Sequence, residues 1–550
     1  YVKPVPSGSG TGLSWADASD LAYALTNSSA TQNQIWLDQG LYNSGGPYFI
    51  KEGTAIYGGF DATTNPSSLS QRNPVLYPSI ISGNSSIRVF DVVGIMGATF
   101  LIFDSLTITN GQAFIGDAFG AGIRNLQTAP MTVRNCSFGA NILADNGKGG
   151  AIYCENISVL TICDCSFEQN NSGGIVGTTG GAVATKNVPT VNFYKVTFNN
   201  NSAYVAGGGV DIVNATNVIH INNVFYQNFA MDIPSYGGAG RFETCGDICL
   251  LQCTAVGNAT NNSGAFIVVQ SGTFNARNCI FYQNGIGPSE LDVLYKTIDA
   301  TGSITANVCN YMASGTDGNS FTSDVFPGSS IIQSTSNSVG NNVSPQFVNI
   351  ATGDLRLTGL SPAIDAGDNQ ALDFRHCDNT LPVGVDVNID REHLERILDT
   401  TGTIPALVDL GAYEYPSEVD AFEVTLTWNG LGPQPCVHGE TNVFVQGKGW
   451  TAIKNVQKGD MICCQTKNNK PQFTQVSFNA RIQSREPRFV RFAKDSIAVN
   501  QPCKDLFIRA GHPVFIDGVE SECQKLVNGK TIDWFVDKQA EEIYTLSTKE

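Results

Sequence analysis

Residues 138–201 read FGANILADNGKGGAIYCENISVLTICDCSFEQNNSGGIVGTTGGAVATKNVPTVNFYKVTFNNN. Phe-X-X-Asn occurs here three times, at Phe138–Asn141, Phe167–Asn170 and Phe198–Asn201, and Gly-Gly-Ala twice, at Gly149–Ala151 and Gly180–Ala182. Working outward, the first pattern continues at Phe225–Asn228 and Phe281–Asn284, with Ala255–Asn258 as a copy lacking the Phe, so successive spacings are 29, 31, 27, 30 and 26 residues. The second continues as Gly207–Gly209, Gly237–Ala239 and Ser263–Ala265. Between them lie short apolar runs, AIYCEN, SVLTICDCSF, TVNFYKVTF and VIHINNVFY, rich in β-branched and aromatic residues at a rough period of two. That is a strand period, and no segment of this region keeps a helical one. A repeat of this length, built of turn, strand, turn, strand, is the signature of a solenoid, in which equivalent residues stack along one axis. Phenylalanines would stack inside, Asn amides would form ladders at a turn, and glycines would supply positive φ between faces. A β-sandwich with coincidental internal similarity is the competing reading, and the even spacing speaks against it. The expected fold is mainly β: a right-handed parallel β-helix.

The segments GGAIYC, GGAVAT, CSFEQN, VTFNNN and VFYQN, all within about 120–285, resemble the paired repeats of polymorphic outer-membrane proteins and similar β-helical adhesins. The resemblance implies a right-handed β-helix with a surface, adhesive or filament-forming role. Nothing in the chain resembles a C-terminal membrane barrel. A solenoid needs caps at its ends. Residues 1–60 are expected to form the N-terminal one, with a short helix over Leu13–Leu25 that places Trp15, Leu21, Tyr23 and Leu25 near one face, and with QIWLDQGLYN as the entering strand. The coils are expected over 61–350. Residues 351–415, with GDLRLTGLSPAIDAGDN and VDLGAYEY, resemble the choice-of-anchor segment of such proteins, which implies stacking and capping by Ser361–Asp368 and Asp409–Tyr415. The Asp386, Asn388, Asp390 triplet lacks the Gly and the Glu of a calcium loop and reads as a solvated turn, so no metal or other cofactor is expected.

Composition changes after a linker at 416–435: residues 1–435 carry 16 Lys and Arg against 36 Asp and Glu, residues 436–550 carry 16 against 13. The last 115 residues, with CVHGETNVFVQGKGWTAIKNVQKGDMICC, DLFIRAGHPVFIDG and EEIYTLSTKE, resemble the Hint domain of hedgehog proteins and inteins. The resemblance implies an all-β domain and self-cleavage, with Cys436 attacking the Pro435 carbonyl and His512 assisting departure of the amide nitrogen. Three departures bear on that chemistry: Arg509 stands at the family's Thr, Pro435 precedes the nucleophile, and the splicing His-Asn ending is absent. A retained Hint fold and residual autoprocessing both stay open.

A net charge of −17 argues against nucleic-acid partners. No run of about 18 apolar residues suggests a membrane-spanning helix. The chain starts at Tyr1, as expected after removal of a targeting peptide, and an extracellular or surface location is expected. Sequons begin at Asn27, Asn84, Asn135, Asn156, Asn170, Asn200, Asn214, Asn258, Asn261 and Asn342, and each is a candidate glycan site. The 15 Cys read either as small apolar residues stacked in the solenoid or as disulfide partners. His220, alternating with apolar residues, is expected to be packed inside. Expected partners are further copies of the chain and a glycan or cell surface. A polysaccharide-acting enzyme is the alternative function, but the acids of 100–340, among them Asp104, Asp117, Asp164, Asp211 and Asp247, form no paired motif.

Overall fold

The computed structural model describes residues 1–285 apart from 29–32, 44, 95–99, 115, 144–145, 173–176, 233–234 and 262–265, then 294–296, 304–313, 331–334, 344–369, 387–392, 396 and 407–415, and thereafter the strands within 437–548 with residues 453–456. Two compact units result, Tyr1–Ser417 and Glu418–Glu550.

The first unit is a parallel β-solenoid. One coil shows the path. Ile152–Glu155 lies on a nine-stranded sheet, Val159–Cys163 and Ser166–Glu168 on a long 19-stranded sheet, and Asn171–Ser172 on a six-stranded sheet, after which a Gly-Gly turn leads to Val183–Lys186. Every step is parallel and in register: Ile152 pairs with Val183, Leu160 with Val191, Phe167 with Phe198 and Asn171 with Ser202. The corners are made by single residues in the left-handed region. Ser105, Asn135, Asp164, Lys195, Asn222, Gln252 and Asn278, all with φ between 50 and 62°, break the two strands of the long sheet in successive coils. Asn and Asp tolerate this conformation because their short side chains bond locally, which is one reason the chain is so rich in Asn. The Gly-Gly pair answers two separate demands. Gly180 has φ +66°, and a Cβ on Gly181 would come within 2.1 Å of the Gly208 carbonyl oxygen of the next coil.

The interior is one apolar core from Val2 to Phe281. Phe138, Phe167, Phe198 and Phe225 stack with ring centroids 4.7, 5.3 and 5.1 Å apart and planes within 11° of parallel. Such contacts add about 0.5–1.5 kcal/mol each beyond burial. Beside them runs a buried asparagine ladder, Asn141, Asn170, Asn201, Asn228, Asn258 and Asn284. Each Nδ2 donates to the Oδ1 of the next member at 2.8–3.0 Å, and also to a backbone carbonyl of the preceding coil, as Asn201 does to Phe167 O at 2.9 Å. Backbone N–H groups close the set, Asn170 N donating to Asn201 Oδ1 at 3.0 Å. A buried amide is tolerated because all its polar atoms are matched. Cys136, Cys154, Cys165, Cys245, Cys253 and Cys279 are free thiols buried in the stack. Cys136 and Cys165, for example, fall at the same position of adjacent coils, and Cys136 N donates to Cys165 Sγ at 3.4 Å. Cys249, on the outer side of its strand, is disulfide-bonded.

The N-terminal segment departs from the expected helix in extent. Only Leu21–Thr26 is helical, with Asp20 as N-cap accepting from Tyr23 N; Leu21 and Leu25 are buried, whereas Tyr23 and Leu13 are exposed. Asp20 favours helix initiation at its own position, so the residues before it stay irregular. Trp15 packs instead with Tyr1 and Phe60 outside the main core. The entering strands Asn33–Asp38 and Gly40–Asn43 lie where QIWLDQGLYN places them.

The segment expected to close the far end lies along a flank. Stacking continues past Gly272–Tyr282 through Ile304–Ala313 and Ile331–Ser334. The described residues of 344–369, 387–392 and 407–415 instead cover outward-facing apolar side chains of several coils: Leu355 and Ala412 on Val224, Tyr226 and Val256, Leu357, Ala363 and Leu410 on Ile280, and Val387 on Tyr194, Ile219, Ile221 and Leu251. Ile219, Val224 and Tyr226 stand on the outer faces of these coils where earlier coils carry mostly polar residues such as Thr132, Thr161, Ser137, Ser166 and Glu168, and burying that apolar surface favours lateral docking. Asp409 and Asn278 stitch it down: Asp409 accepts from Asp365 N and Tyr415 N, while Asn278 exchanges hydrogen bonds with the Asp368 backbone at 2.9 and 3.0 Å. Asp390, read from sequence as part of a solvated turn, is buried and accepts from Glu392 N and Glu414 N. At its centre Arg396 is fully buried, with Nη1 3.2 Å from Glu414 Oε2 and Nη2 donating to Asn222 Oδ1 at 2.6 Å and to the Gly411 and Ala412 carbonyls. Burial and the neighbouring carboxylates push Glu414 up to about 10 and Asp409 up to about 7, with Arg396 opposing.

The second unit is antiparallel β. Its nine-stranded sheet includes Pro471–Gln483 paired with Met461–Gln465 and Glu542–Thr548, and Arg488–Phe492 paired with Leu506–Arg509 and Ile532–Val536. Val437 pairs with Ile508 on one side and Tyr544 on the other. Among the described residues no helix is long and apolar enough to cross a membrane.

Candidate functional site

The left-handed residues that divide the long sheet also shape its outer surface. At Ser105, Asn135, Asp164 and Lys195 the chain bends between two outward-facing strand segments, and a cleft of about 450 Å³ follows the bend across successive coils. Its floor is Leu106, Cys136 and Cys165, and a row of hydroxyls, Thr107, Ser137 and Ser166, runs beside the floor. Equivalent residues repeat at about 4.8 Å along the axis, the spacing of adjacent strands. Ser166 Oγ donates to Ser137 Oγ at 3.1 Å.

Two excursions wall the cleft. Pro74, Val75 and Pro78 stand at one end. Their loop is tied down by Arg72, which lies 3.1 Å from Asp104 Oδ1 and 5.2 Å over the Tyr57 ring. At the other end stands Arg391 of the flank segment, donating to Thr197 Oγ1 and to the Asn222 carbonyl.

Several charges of the outer surface are paired across coils. Asp104 also accepts from Arg134 Nε at 2.7 Å and Ser105 Oγ at 2.8 Å. Burial pushes its carboxyl upward, but Arg72, Ser105 and Arg134 outweigh burial and hold it below the usual carboxylate range. On the nine-stranded face, Asp211 receives a bidentate Arg241 at 2.7 and 2.9 Å, Arg124 spans Asp91 and Asp117, and Lys186 meets Glu155 at 3.1 Å. The acids and bases that look scattered in sequence are thus paired across coils. Among the described residues the lining charges of the cleft are Asp164, Lys195 and Arg391.

His220 is buried inside the stack as expected, 4.5 Å from the Phe193 ring and nearly parallel to it, with Nδ1 2.9 Å from Asn223 Nδ2. Burial lowers its pKa to about 3, so the imidazole is neutral. Cys436, His512 and Asn342 lie outside the described residues. Of the sequon asparagines, Asn27, Asn84, Asn135, Asn156, Asn200, Asn214 and Asn261 are exposed. Asn170 and Asn258 differ: both are fully buried, and their Nδ2 atoms are committed to the ladder, so the folded stack leaves no room for a glycan there. The sequence pattern does not separate the two classes, because Asn-X-Ser/Thr falls on the ladder and on the corners alike.

The cleft itself was not anticipated, although half of its signal is in the repeat: Asn135, Asp164 and Lys195 each precede the Phe of their coil by three residues. Arg391 arrives from far along the chain, and no local pattern announces it.

No family model matches the chain. Over 155 residues it is 34% identical to metabotropic glutamate receptor-like protein R of Dictyostelium discoideum, a match that covers 28% of this chain and 9% of that protein. Among solved structures it is similar to pectate lyase Pel9A, at a TM-score of 0.35 and 14% identity, over 75% of this chain and 95% of the other.

Proposed function

We propose that this chain is a secreted or surface-displayed structural β-helix, a subunit of a fibre, filament or adhesive layer, carrying a C-terminal Hint-like domain that is retained. The observation that carries the reading is the unbroken interior stack. Six asparagines and a phenylalanine column hold successive coils in register, and arginine–carboxylate pairs bridge neighbouring coils on the outside, which gives a stiff solenoid. Seven exposed sequon asparagines support passage through a glycosylating compartment. Analytical ultracentrifugation and electron microscopy of the full chain test the structural role. Concentration-dependent end-to-end or lateral assemblies are expected, and a monomer at every concentration would remove it. Intact mass under reducing and non-reducing conditions, with a Cys436→Ala control, tests the Hint-like domain. One species of full length means retention; fragments ending at Pro435, rejoined by the Ala change, mean autoprocessing.

A further inference from the structure

We infer that Cys136 with Cys165, and Cys253 with Cys279, are two disulfide sites that staple adjacent coils from inside the solenoid. The four thiols stand in one buried column, each one residue past a left-handed corner: Asn135, Asp164, Gln252 and Asn278. Their register is fixed from both sides. Arg134 pairs with Cys163 and Ser137 with Ser166, so Cys136 lies opposite Cys165. Leu251 pairs with Arg277 and Thr254 with Ile280, so Cys253 lies opposite Cys279. Adjacent strands run about 4.7–4.9 Å apart, inside the Cα separation of about 4.4–6.8 Å that a disulfide spans. The side chains already meet. Cys136 N donates to Cys165 Sγ at 3.4 Å. Burial raises the Cys165 and Cys253 thiols well above the usual range, and the partner thiol hydrogen-bonded to each raises them further.

The same column decides who can join whom. Leu106 stands before the first pair, Val196 and Asn223 separate it from the second, and Tyr311 follows Cys279 in register. Each of the four cysteines therefore has one thiol neighbour along the axis. Cys154 pairs in register with Asn125 and Thr185, and Cys163 with Arg134 and Tyr194, so neither has a thiol opposite it. The second staple falls at the level where Ala255 interrupts the phenylalanine column, two residues beyond Cys253. The two bonds would close loops of 29 and 26 residues and so restrict the unfolded chain.

The oxidant is an external disulfide. One cysteine thiolate attacks it, forms a mixed disulfide and expels a thiolate; the partner cysteine attacks that bond and expels the second. Two protein thiols and one external disulfide give one protein disulfide and two external thiols, which carry away the two protons. The sulfurs are enclosed in the finished stack, and buried thiols are inert, so the bonds close while the coils are still assembling. The inference rests on the proposed secretion for the compartment in which this happens, and the refolding experiment is independent of it.

The full chain is refolded from denaturant with reduced and oxidised glutathione, denatured again without reductant, blocked with N-ethylmaleimide and digested for peptide mapping. Linked peptides joining Cys136 to Cys165 and Cys253 to Cys279 are expected, with Cys154 and Cys163 carrying the blocking group. The map decides each pair separately. A pair whose members carry the blocking group, or are joined to other cysteines, is overturned. Urea unfolding then reads whether the bonds hold the coils. On adding reductant the parent's midpoint is expected to fall by more than that of the double variant Cys165→Ala, Cys279→Ala, which keeps the Cys249 bond. Equal falls would overturn the role as staples. Linked peptides after refolding, but free thiols in the protein from its natural source, would uphold the pairing and count against secretion.

Discussion

Phe266 occupies the space that Ala255 leaves. The phenylalanine column runs unbroken to Phe225, and at the next coil the inward position is Ala255, too small to reach its neighbours. The Phe266 ring comes in from the nine-stranded side, 5.4 Å from Phe225 and 5.1 Å from Phe281, and rejoins the column. Phe266→Ala is therefore expected to cost about 3–5 kcal/mol, because the coil has no other side chain to collapse into the void. Ala255→Phe alone overpacks a filled site, at about 1–3 kcal/mol. Combined, the two changes restore one ring per level, and the double variant should be more stable than the sum of the single losses. Urea unfolding of all four proteins reads the coupling, and simple additivity would show that the two side chains do not share the site.

The asparagine ladder gives a second expectation. Asn201→Leu keeps the branched outline in a larger side chain and removes an acceptor for Asn170 N and Nδ2 together with donors to Phe167 O and Asn228 Oδ1. Each buried group left unmatched costs about 1–3 kcal/mol. The loss should be local first. Amide hydrogen exchange at Asn170 is expected to accelerate strongly, while Val2 and Leu37 at the N-terminal end keep their protection. Uniform acceleration along the rod would mean that the coils open only as one unit.

How far the sequence could be read follows from what each residue depends on. The coil was legible because Phe167, Asn170 and Gly180 depend on neighbours exactly one repeat away, so periodicity alone reports them. The resemblance of the last 115 residues to a Hint domain and the roles of Cys436 and His512 remain a proposal, since neither residue is among those described. The helix was overextended because Leu13 and Trp15 fit a helical wheel, whereas Asp20 sets the real start. Asp390, Arg396 and Arg391 were illegible for another reason. Their partners Asn222, Thr197 and Glu414 lie in coils or turns that only the fold brings near, and a buried arginine looks in sequence like any surface cation.

Arg396 makes that point testable. It holds Glu414, Asn222 and two carbonyls at once, so Arg396→Met leaves several buried acceptors unmatched. Each buried group left unmatched costs about 1–3 kcal/mol. The expected result is selective: limited proteolysis should speed up around 407–415, while Phe138–Phe225 stays protected. Equal loss in both places would mean that the flank segment and the coils fold as one cooperative unit.

His220 sets an acid sensitivity of known sign. Its pKa is lowered from 6.5 to about 3 by burial, so between those values the unfolded chain takes up a proton that the folded chain refuses. Stability from this site is complete above about 6.5 and is lost as the pH falls toward 3. Asp409, raised to about 7, acts in the opposite direction, since the folded state holds its proton more firmly and gains as the pH falls through 7. The parent's net slope mixes these with Glu414, which is raised to about 10 and acts in the same direction as Asp409, and the variant His220→Phe isolates the part that belongs to His220. Phenylalanine continues the stack on Phe193 and gives up the contact with Asn223, so the variant should be somewhat weaker at pH 7. Its further loss between pH 7 and pH 5 should be smaller than the parent's, measured as the shift in urea midpoint. Identical shifts in the two proteins would mean that His220 takes up its proton in the folded stack at an ordinary pH, and that the imidazole is not shielded by the rings around it.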